Sequence, residues 1–120
     1  MKCLITGGCG FIGVNLIELL LEKGFEINVL DNLSEGKKED LPTGVNFIKG
    51  DICNPEDVKK AMTDCSVVVN LAAQTGVVPS MDDPRKDAEI NILGLMNVLQ
   101  EAARIKARVV HASSAAPLGE

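Results

Sequence analysis

Three glycines near the start of the chain have the spacing of a phosphate-binding turn. Gly7, Gly10 and Gly13 recur at every third position of the stretch TGGCGFIG, between a short apolar segment and a strong helix former. Gly7 would allow a tight turn, Gly10 would let backbone amides approach a pyrophosphate, and Gly13 would let the helix pack closely on the strand. The free N–H groups and the positive dipole end of that helix would face the phosphates. The alternative is a tight turn without a ligand, but the position between strand and helix favours a dinucleotide site.

An acidic residue follows at a distance that suits the ribose beside those phosphates. Asp31 ends the next apolar segment, 18 positions after Gly13. A carboxylate there would accept both ribose hydroxyls and repel a 2′-phosphate, which predicts a preference for NAD over NADP. Two alternatives remain open. Asp31 could simply start a turn with Asn32, and Lys37 and Lys38 could hold a 2′-phosphate, although they are more typical of a solvated surface.

Composition restricts the class of protein. The 120 residues are 46% apolar but only 2% aromatic, so we expect one domain, residues 1–120, with an aliphatic core. A net charge of −5 without a basic block argues against a nucleic-acid partner. The apolar run at 11–21 is too short to cross a membrane. The four cysteines lack metal-ligand spacing, which predicts no metal site, and we expect Cys9 to be a small filler residue in the loop. Because no signal sequence or membrane span is apparent, we expect a cytoplasmic protein with reduced thiols.

Alternating strands and helices would position the glycines and the acid. Strands are predicted at 3–6, 26–30, 45–49, 66–71 and 108–112, and helices at 11–23, about 54–63, and 84 to about 105. One apolar face of the long helix is marked by Ala88, Ile92, Met96, Leu99 and Ala103. The alternation predicts an α/β fold, a doubly wound parallel sheet of five strands in the order 3-2-1-4-5. Ligands of such sheets bind at the carboxyl ends of the strands.

Several motifs together resemble one known family. They are TGGCGFIG at 6–13, LDNLSEG at 30–36, GDI at 50–52, NLAAQ at 70–74, PRKDAEINILG at 84–94 and SSAAPLGE at 113–120. The chain resembles the extended short-chain dehydrogenase/reductases of the nucleotide-sugar epimerase and dehydratase type, in particular the UDP-glucose 4-epimerase-like members, over essentially its whole length. The resemblance implies a Rossmann fold and NAD as the cofactor.

The resemblance also assigns residues to parts of the cofactor. It implies that Phe11 and Ile12 contact the pyrophosphate. Asp31 and Asn32 would contact the ribose, and Asp51 and Ile52 the adenine. The wall of the cofactor site would continue through Leu71, Ala72, Ala73 and Gln74. Ser113 would lie beside the nicotinamide, and Ser114 matches the serine or threonine that hydrogen-bonds the reacting sugar hydroxyl. Asn91 matches the family's helix asparagine, although a bond to a neighbouring loop is an equally good interpretation.

The tyrosine–lysine pair that such a family would use for turnover is not found in this sequence. Enzymes of this kind oxidise a sugar hydroxyl by hydride transfer to NAD and later return the hydride, using a tyrosine with a lysine four positions on. This sequence contains no tyrosine, and Leu118 stands where the family commonly has a non-catalytic one. His111 lies in a predicted strand, where we expect a core histidine rather than a substitute base. The family's C-terminal domain, which holds the nucleotide-sugar, is also absent from the sequence.

We therefore predict the NAD-binding portion of a nucleotide-sugar epimerase or dehydratase, which binds NAD without turnover by itself. Its partner in a complete enzyme would be a nucleotide-sugar. One alternative is a regulatory or interaction module that binds NAD without chemistry. Another, an NADP-dependent reductase relative, is disfavoured by Asp31.

Self-association is also predicted. Val109 and Val110 lie in the last predicted strand, which would present an unpaired edge. The apolar face of the long helix would also lack a partner helix. We expect copies of the chain to associate, as dimers or larger species, through one or both surfaces.

Overall fold

The computed structural model describes residues 1–33, 37–71 and 92–111. Five strands alternate with three helices in these ranges. In chain order they are β1 (Lys2–Thr6), α1 (Phe11–Glu22), β2 (Glu26–Asp31), β3 (Asn46–Lys49), α2 (Pro55–Ala61), β4 (Val67–Asn70), α3 (Gly94–Ile105) and β5 (Arg108–His111). A short 3₁₀ turn, Lys38–Asp40, precedes β3.

The strands form one parallel sheet in the order β3-β2-β1-β4-β5, which confirms the predicted topology. The register places Thr6 beside Leu30 on one side and beside Asn70 on the other. Asp31 is in turn aligned with Lys49 of β3. The carboxyl ends of the four strands β1 to β4 therefore meet along one edge, where the predicted ligand residues follow.

Both faces of the sheet are covered. On one face, Cys3 and Ile5 of β1 pack with Ile17 of α1 and with Ile27 and Val29 of β2. On the other, the cluster combines residues of β1, β2, β4, α2 and α3, among them Leu4, Leu30, Val68, Val58 and Val98. Alternate residues of β1 thus enter opposite layers, which is why every strand residue from Cys3 to Thr6 is buried.

The helix ends follow the local sequence. Gly24, two residues after the end of α1, has φ +86°, the left-handed conformation that glycine commonly adopts just beyond a helix. At the start of α2, the Asn54 side chain accepts a hydrogen bond from the Glu56 N–H at 3.0 Å, and Pro55 occupies the first turn.

The third helix packs on the sheet through residues outside the apolar face that the sequence marks. Its buried residues are Gly94, Val98 and Ala102. Since these residues are small, α3 can lie close to the sheet. The marked apolar face, which was predicted to lack a partner helix, is exposed: Met96 and Leu99 are 48% and 45% exposed. Residues 84–91, with which the predicted helix begins, lie outside the described ranges.

Candidate functional site at the carboxyl edge of the sheet

The loop after β1 makes the tight turn that its glycines predict. Gly7 has φ +71°, a conformation that strongly favours glycine. Its N–H donates to the Leu30 carbonyl of β2 at 2.8 Å, so the loop starts while still attached to the neighbouring strand. The Gly10 N–H then donates to the Gly7 carbonyl at 3.3 Å and closes the turn.

At Gly10 the fold itself does not require a glycine. Its backbone is extended, with φ −77° and ψ 172°, and a Cβ there would meet only the Gly7 carbonyl oxygen, at an ordinary 3.6 Å. Gly10 is also the N-cap of α1, which has neither a side-chain cap nor an acidic residue in its first turn. A Cβ would therefore occupy open space beside uncapped helix amides, which is the space that a bound phosphate needs.

Gly13 packs against the loop rather than against the strand, which corrects the prediction. A Cβ on Gly13 would lie 2.6 Å from Gly8 Cα and 2.8 Å from the Gly7 carbonyl oxygen. Gly8 was not among the predicted glycines, yet a Cβ there would lie 2.7 Å from Val29 Cγ1 of β2. The Gly7-Gly8 pair was the available signal: only glycine fits a loop layered between α1 and β2.

Asp31 lies under this loop and is 9% exposed. One carboxylate oxygen accepts a hydrogen bond from the Cys9 N–H at 2.8 Å, and the other accepts one from the Leu33 N–H at 2.7 Å. The bond to Leu33 is the turn contact that the sequence offered as an alternative to ribose binding. The bond to Cys9 joins β2 to the glycine-rich loop. Each oxygen keeps a further lone pair for a ribose hydroxyl.

The Cys9 thiol is inert in this environment. It is 3% exposed, and burial, together with the negative charge of Asp31, raises the pKa of the thiol to about 12. A thiol with so high a pKa stays protonated at neutral pH and is a poor nucleophile. This supports the filler role expected from the sequence. None of the four cysteines forms a disulfide bond, and burial is also the main cause that raises the pKa values of Cys3 and Cys65 to about 11.

The two lysines that could have held a 2′-phosphate are exposed. Lys38 has its Nζ 5.5 Å from the centre of the Phe47 ring on β3, a cation–π distance. Lys38 therefore has a partner on the protein surface, as expected of a solvated face.

The turn after β3 joins the same edge. The Gly50 N–H donates to the Asp31 carbonyl at 3.1 Å. The residues predicted to contact ribose and adenine therefore lie at the ends of two neighbouring strands, β2 and β3. Asp51 is exposed, whereas the side chain of Ile52 is buried in the core at 5% exposure. Ile52 therefore offers a ligand its backbone rather than its side chain.

A chain of polar side chains crosses the edge between β1, β4 and β5, and the sequence analysis missed it. The Thr6 hydroxyl bonds to Asn70 Oδ1, and Asn70 Nδ2 lies 3.2 Å from His111 Nδ1. Thr6 also accepts a hydrogen bond from the Leu71 N–H at 3.1 Å, which fixes the start of the predicted cofactor wall. His111 is exposed at the end of β5, so the expectation of a core histidine was wrong. Contacts between residues 64 positions apart leave no local pattern in a sequence.

The other predicted residues divide into two groups. Phe11 and Ile12, in the first turn of α1, have side chains that are 85% and 68% exposed, and Asn32 is also exposed. The predictions for Ala72, Ala73, Gln74, Asn91, Ser113 and Ser114 lie outside the described residues. The structure thus brings together the residues assigned to pyrophosphate, ribose and adenine.

Two further features are absent from the described ranges. These ranges contain no group of three or more His, Cys, Asp or Glu residues placed to hold a metal ion. Nor does any helix in them have the length and apolar character needed to cross a membrane.

Comparison with known proteins identifies the family. The model of the NAD dependent epimerase/dehydratase family matches residues 3–120. The chain belongs to this family. Among curated proteins, the UDP-glucose 4-epimerase of Mycolicibacterium smegmatis is 40% identical over 123 aligned positions, which cover 95% of this chain.

Solved structures of similar proteins confirm the Rossmann-like fold. The UDP-glucose 4-epimerase of Thermus thermophilus, crystallised in complex with NAD, is 41% identical with a TM-score of 0.90. The enzyme of Thermotoga maritima, solved with UDP-glucose, is 33% identical with a TM-score of 0.91. Each match covers 95% of this chain but 38% of the other one, and the match to the Mycolicibacterium enzyme covers 39% of that protein. The chain therefore spans about two-fifths of the length of these relatives.

Proposed function

We propose that this chain is the NAD-binding part of a nucleotide-sugar epimerase or dehydratase similar to UDP-glucose 4-epimerase. The observation that carries the proposal is the geometry at Gly10. The fold tolerates a side chain there, yet the position is kept clear beside the uncapped amides of α1. Family membership and the NAD-bound Thermus relative identify the dinucleotide that suits this space.

The residues present suit the parts of NAD in sequence along the edge. The amides at the start of α1, at Phe11 and Ile12, would hold the pyrophosphate. Asp31 would accept the ribose hydroxyls, and the turn that contains Asp51 would meet the adenine. Bound NAD would supply the hydride chemistry of the family, while these residues bind and orient it.

Transfer of the hydride to a sugar would need groups that this sequence does not contain, because it has no tyrosine for the expected Y-x-x-x-K pair. We propose that the chain alone binds NAD without turnover. We further propose a nucleotide-sugar as the partner of the complete enzyme, and a cytoplasmic location in which the four cysteines, none of them in a disulfide bond, stay reduced.

The second candidate is a non-catalytic module that binds NAD. The genomic reading frame discriminates the two candidates: a frame that continues past Glu120 and encodes Y-x-x-x-K supports the enzyme, whereas a stop codon there supports the module.

Titration of the chain with NAD by calorimetry tests the cofactor assignment, together with mass spectrometry for cofactor that co-purifies. Gly10→Val should abolish binding, because its side chain fills the phosphate space, while the extended backbone accepts a β-branched residue and the chain still folds. Thr63→Val is the matched control, since Thr63 is exposed just after α2, at the opposite edge of the sheet. Binding of NAD by Gly10→Val with wild-type affinity would contradict the assignment.

A further inference from the structure

Residues 50–54, the 50–54 turn, connect β3 to α2 and form a compact hydrogen-bonded unit. Asp51 caps the turn from within: one of its carboxylate oxygens accepts from the Cys53 N–H at 2.9 Å. The Asp51 carbonyl accepts from the Asn54 N–H at 2.9 Å. These two bonds fix the direction of the Asp51 side chain relative to the backbone that follows it.

Asp57 of α2 holds the turn from one side. Its carboxylate reaches back and accepts a hydrogen bond from the Asp51 N–H at 3.0 Å. A Cβ on Gly50 would lie 2.7 Å from the same Asp57 oxygen and 3.0 Å from Asp57 Cβ. Glycine at position 50 therefore makes room for the Asp57 carboxylate.

Asn97 of α3 holds the turn from the other side. Its Nδ2 donates to the Ile52 carbonyl at 2.8 Å. The Ile52 side chain packs against the same helix, where a Cβ on Gly94 would lie 2.6 Å from Ile52 Cγ1. The turn is thus clamped between two helices, through the N–H of Asp51 and through the carbonyl and side chain of Ile52.

The clamp leaves one acceptor and one donor on adjacent residues. Within the described chain, the second carboxylate oxygen of Asp51 and the N–H of Ile52 make no hydrogen bond. Adenine offers the complementary pair, an amino group beside a ring nitrogen that accepts. Hypoxanthine, with a carbonyl oxygen beside a ring N–H, offers the reverse.

We propose that Asp57 and Asn97 are positioning residues that hold the 50–54 turn in the shape that selects adenine. The inference rests on the proposed function, since it takes the dinucleotide to bind along this edge. Neither residue touches the ligand. Each acts by keeping the acceptor of Asp51 and the donor of Ile52 side by side, and loss of either clamp lets the two drift apart.

The test compares NAD with nicotinamide hypoxanthine dinucleotide, by calorimetry on the full chain. The wild type should bind NAD about tenfold more tightly than the hypoxanthine dinucleotide, because the acceptor of Asp51 and the donor of Ile52 match adenine and not hypoxanthine. Asn97→Ala and Asp57→Ala should each reduce this ratio at least about threefold, mainly by weakening NAD. Asp57→Asn, which keeps an acceptor oxygen for the Asp51 N–H, should restore most of the ratio.

Arg104→Ala is the control on the same helix as Asn97. It removes an exposed contact, between Arg104 Nε and Glu101 at 3.0 Å, and should leave the ratio unchanged. If Asn97→Ala does not fold, the comparison of Asp57→Ala with Asp57→Asn decides. Equal weakening of both dinucleotides, or an unchanged ratio with NAD still bound, would overturn this inference alone. No binding of either dinucleotide by the wild type would overturn the proposed function as well.

Discussion

At the scale of single residues, Asp31 makes the turn contact that the sequence presents as the alternative to ribose binding, and it makes a second contact with the glycine-rich loop. Its carboxylate closes a local turn through Leu33 and also anchors the glycine-rich loop through Cys9. The spacing from Gly13 was sufficient to place Asp31 beside the glycine-rich loop. Its bonds to the backbone could not be predicted, because acidic residues at strand ends make turn contacts and ligand contacts with the same atoms.

Replacement of Asp31 should separate cofactor selection from loop stability. In Asp31→Asn, one of the two backbone hydrogen bonds is lost, and the repulsion of a 2′-phosphate disappears. We expect NAD affinity to fall by about 1–3 kcal/mol and the preference for NAD over NADP to narrow. Titrations with both cofactors, beside thermal melts, measure these effects.

The control for this variant is Asp64→Asn. Asp64 has φ +63°, a conformation that asparagine adopts equally well, and it precedes β4 at the opposite edge of the sheet. An Asp31→Asn chain that keeps the wild-type preference for NAD would remove the ribose assignment.

At the scale of elements, the strands and the sheet order were predictable and the packing of helices was less so. Each strand matches its prediction within one residue at either end, because short apolar runs between turn residues have few alternatives. The orientation of α3 was harder, since Val98 and Met96 lie on different apolar faces of the same helix. Hydrophobic spacing marks the apolar faces of a helix, but it does not show which of them packs on the sheet.

Two alanine substitutions should show the different roles of the loop glycines. Gly13→Ala forces its Cβ into the backbone of Gly7 and Gly8 and should lower the free energy of unfolding by about 1–3 kcal/mol. Gly10→Ala meets no such obstacle and should leave stability within about 0.5 kcal/mol of wild type. Denaturant unfolding measures both, and equal stabilities would show that α1 is not packed tightly on the loop.

At the scale of the whole molecule, the described chain carries an exposed apolar stripe on and just before α3. Its members, Ile92, Leu93, Met96 and Leu99, are between 45% and 59% exposed. Val110 of the edge strand β5 is 51% exposed. Apolar surface of this kind favours association between copies of the chain.

At protein concentrations on the order of tens of micromolar, we expect multi-angle light scattering to show the wild type as dimers or larger species. The double variant Met96→Lys and Leu99→Lys should shift the chain toward monomer, because the charges face water on the stripe. Val110→Lys tests the strand edge separately, and Gln100→Lys, also exposed on α3, is the control. A strictly monomeric wild type would contradict the prediction.

The hydrogen bonds at the ligand edge also differ in how far apart their partners lie along the chain. Cys9 and Asp31 are 22 positions apart, whereas Thr6 and Asn70 are 64 apart. Closing a short segment loses less chain entropy than closing a long one. The corner that would receive phosphate and ribose can therefore assemble from nearby residues early in folding, before β4 completes the other side.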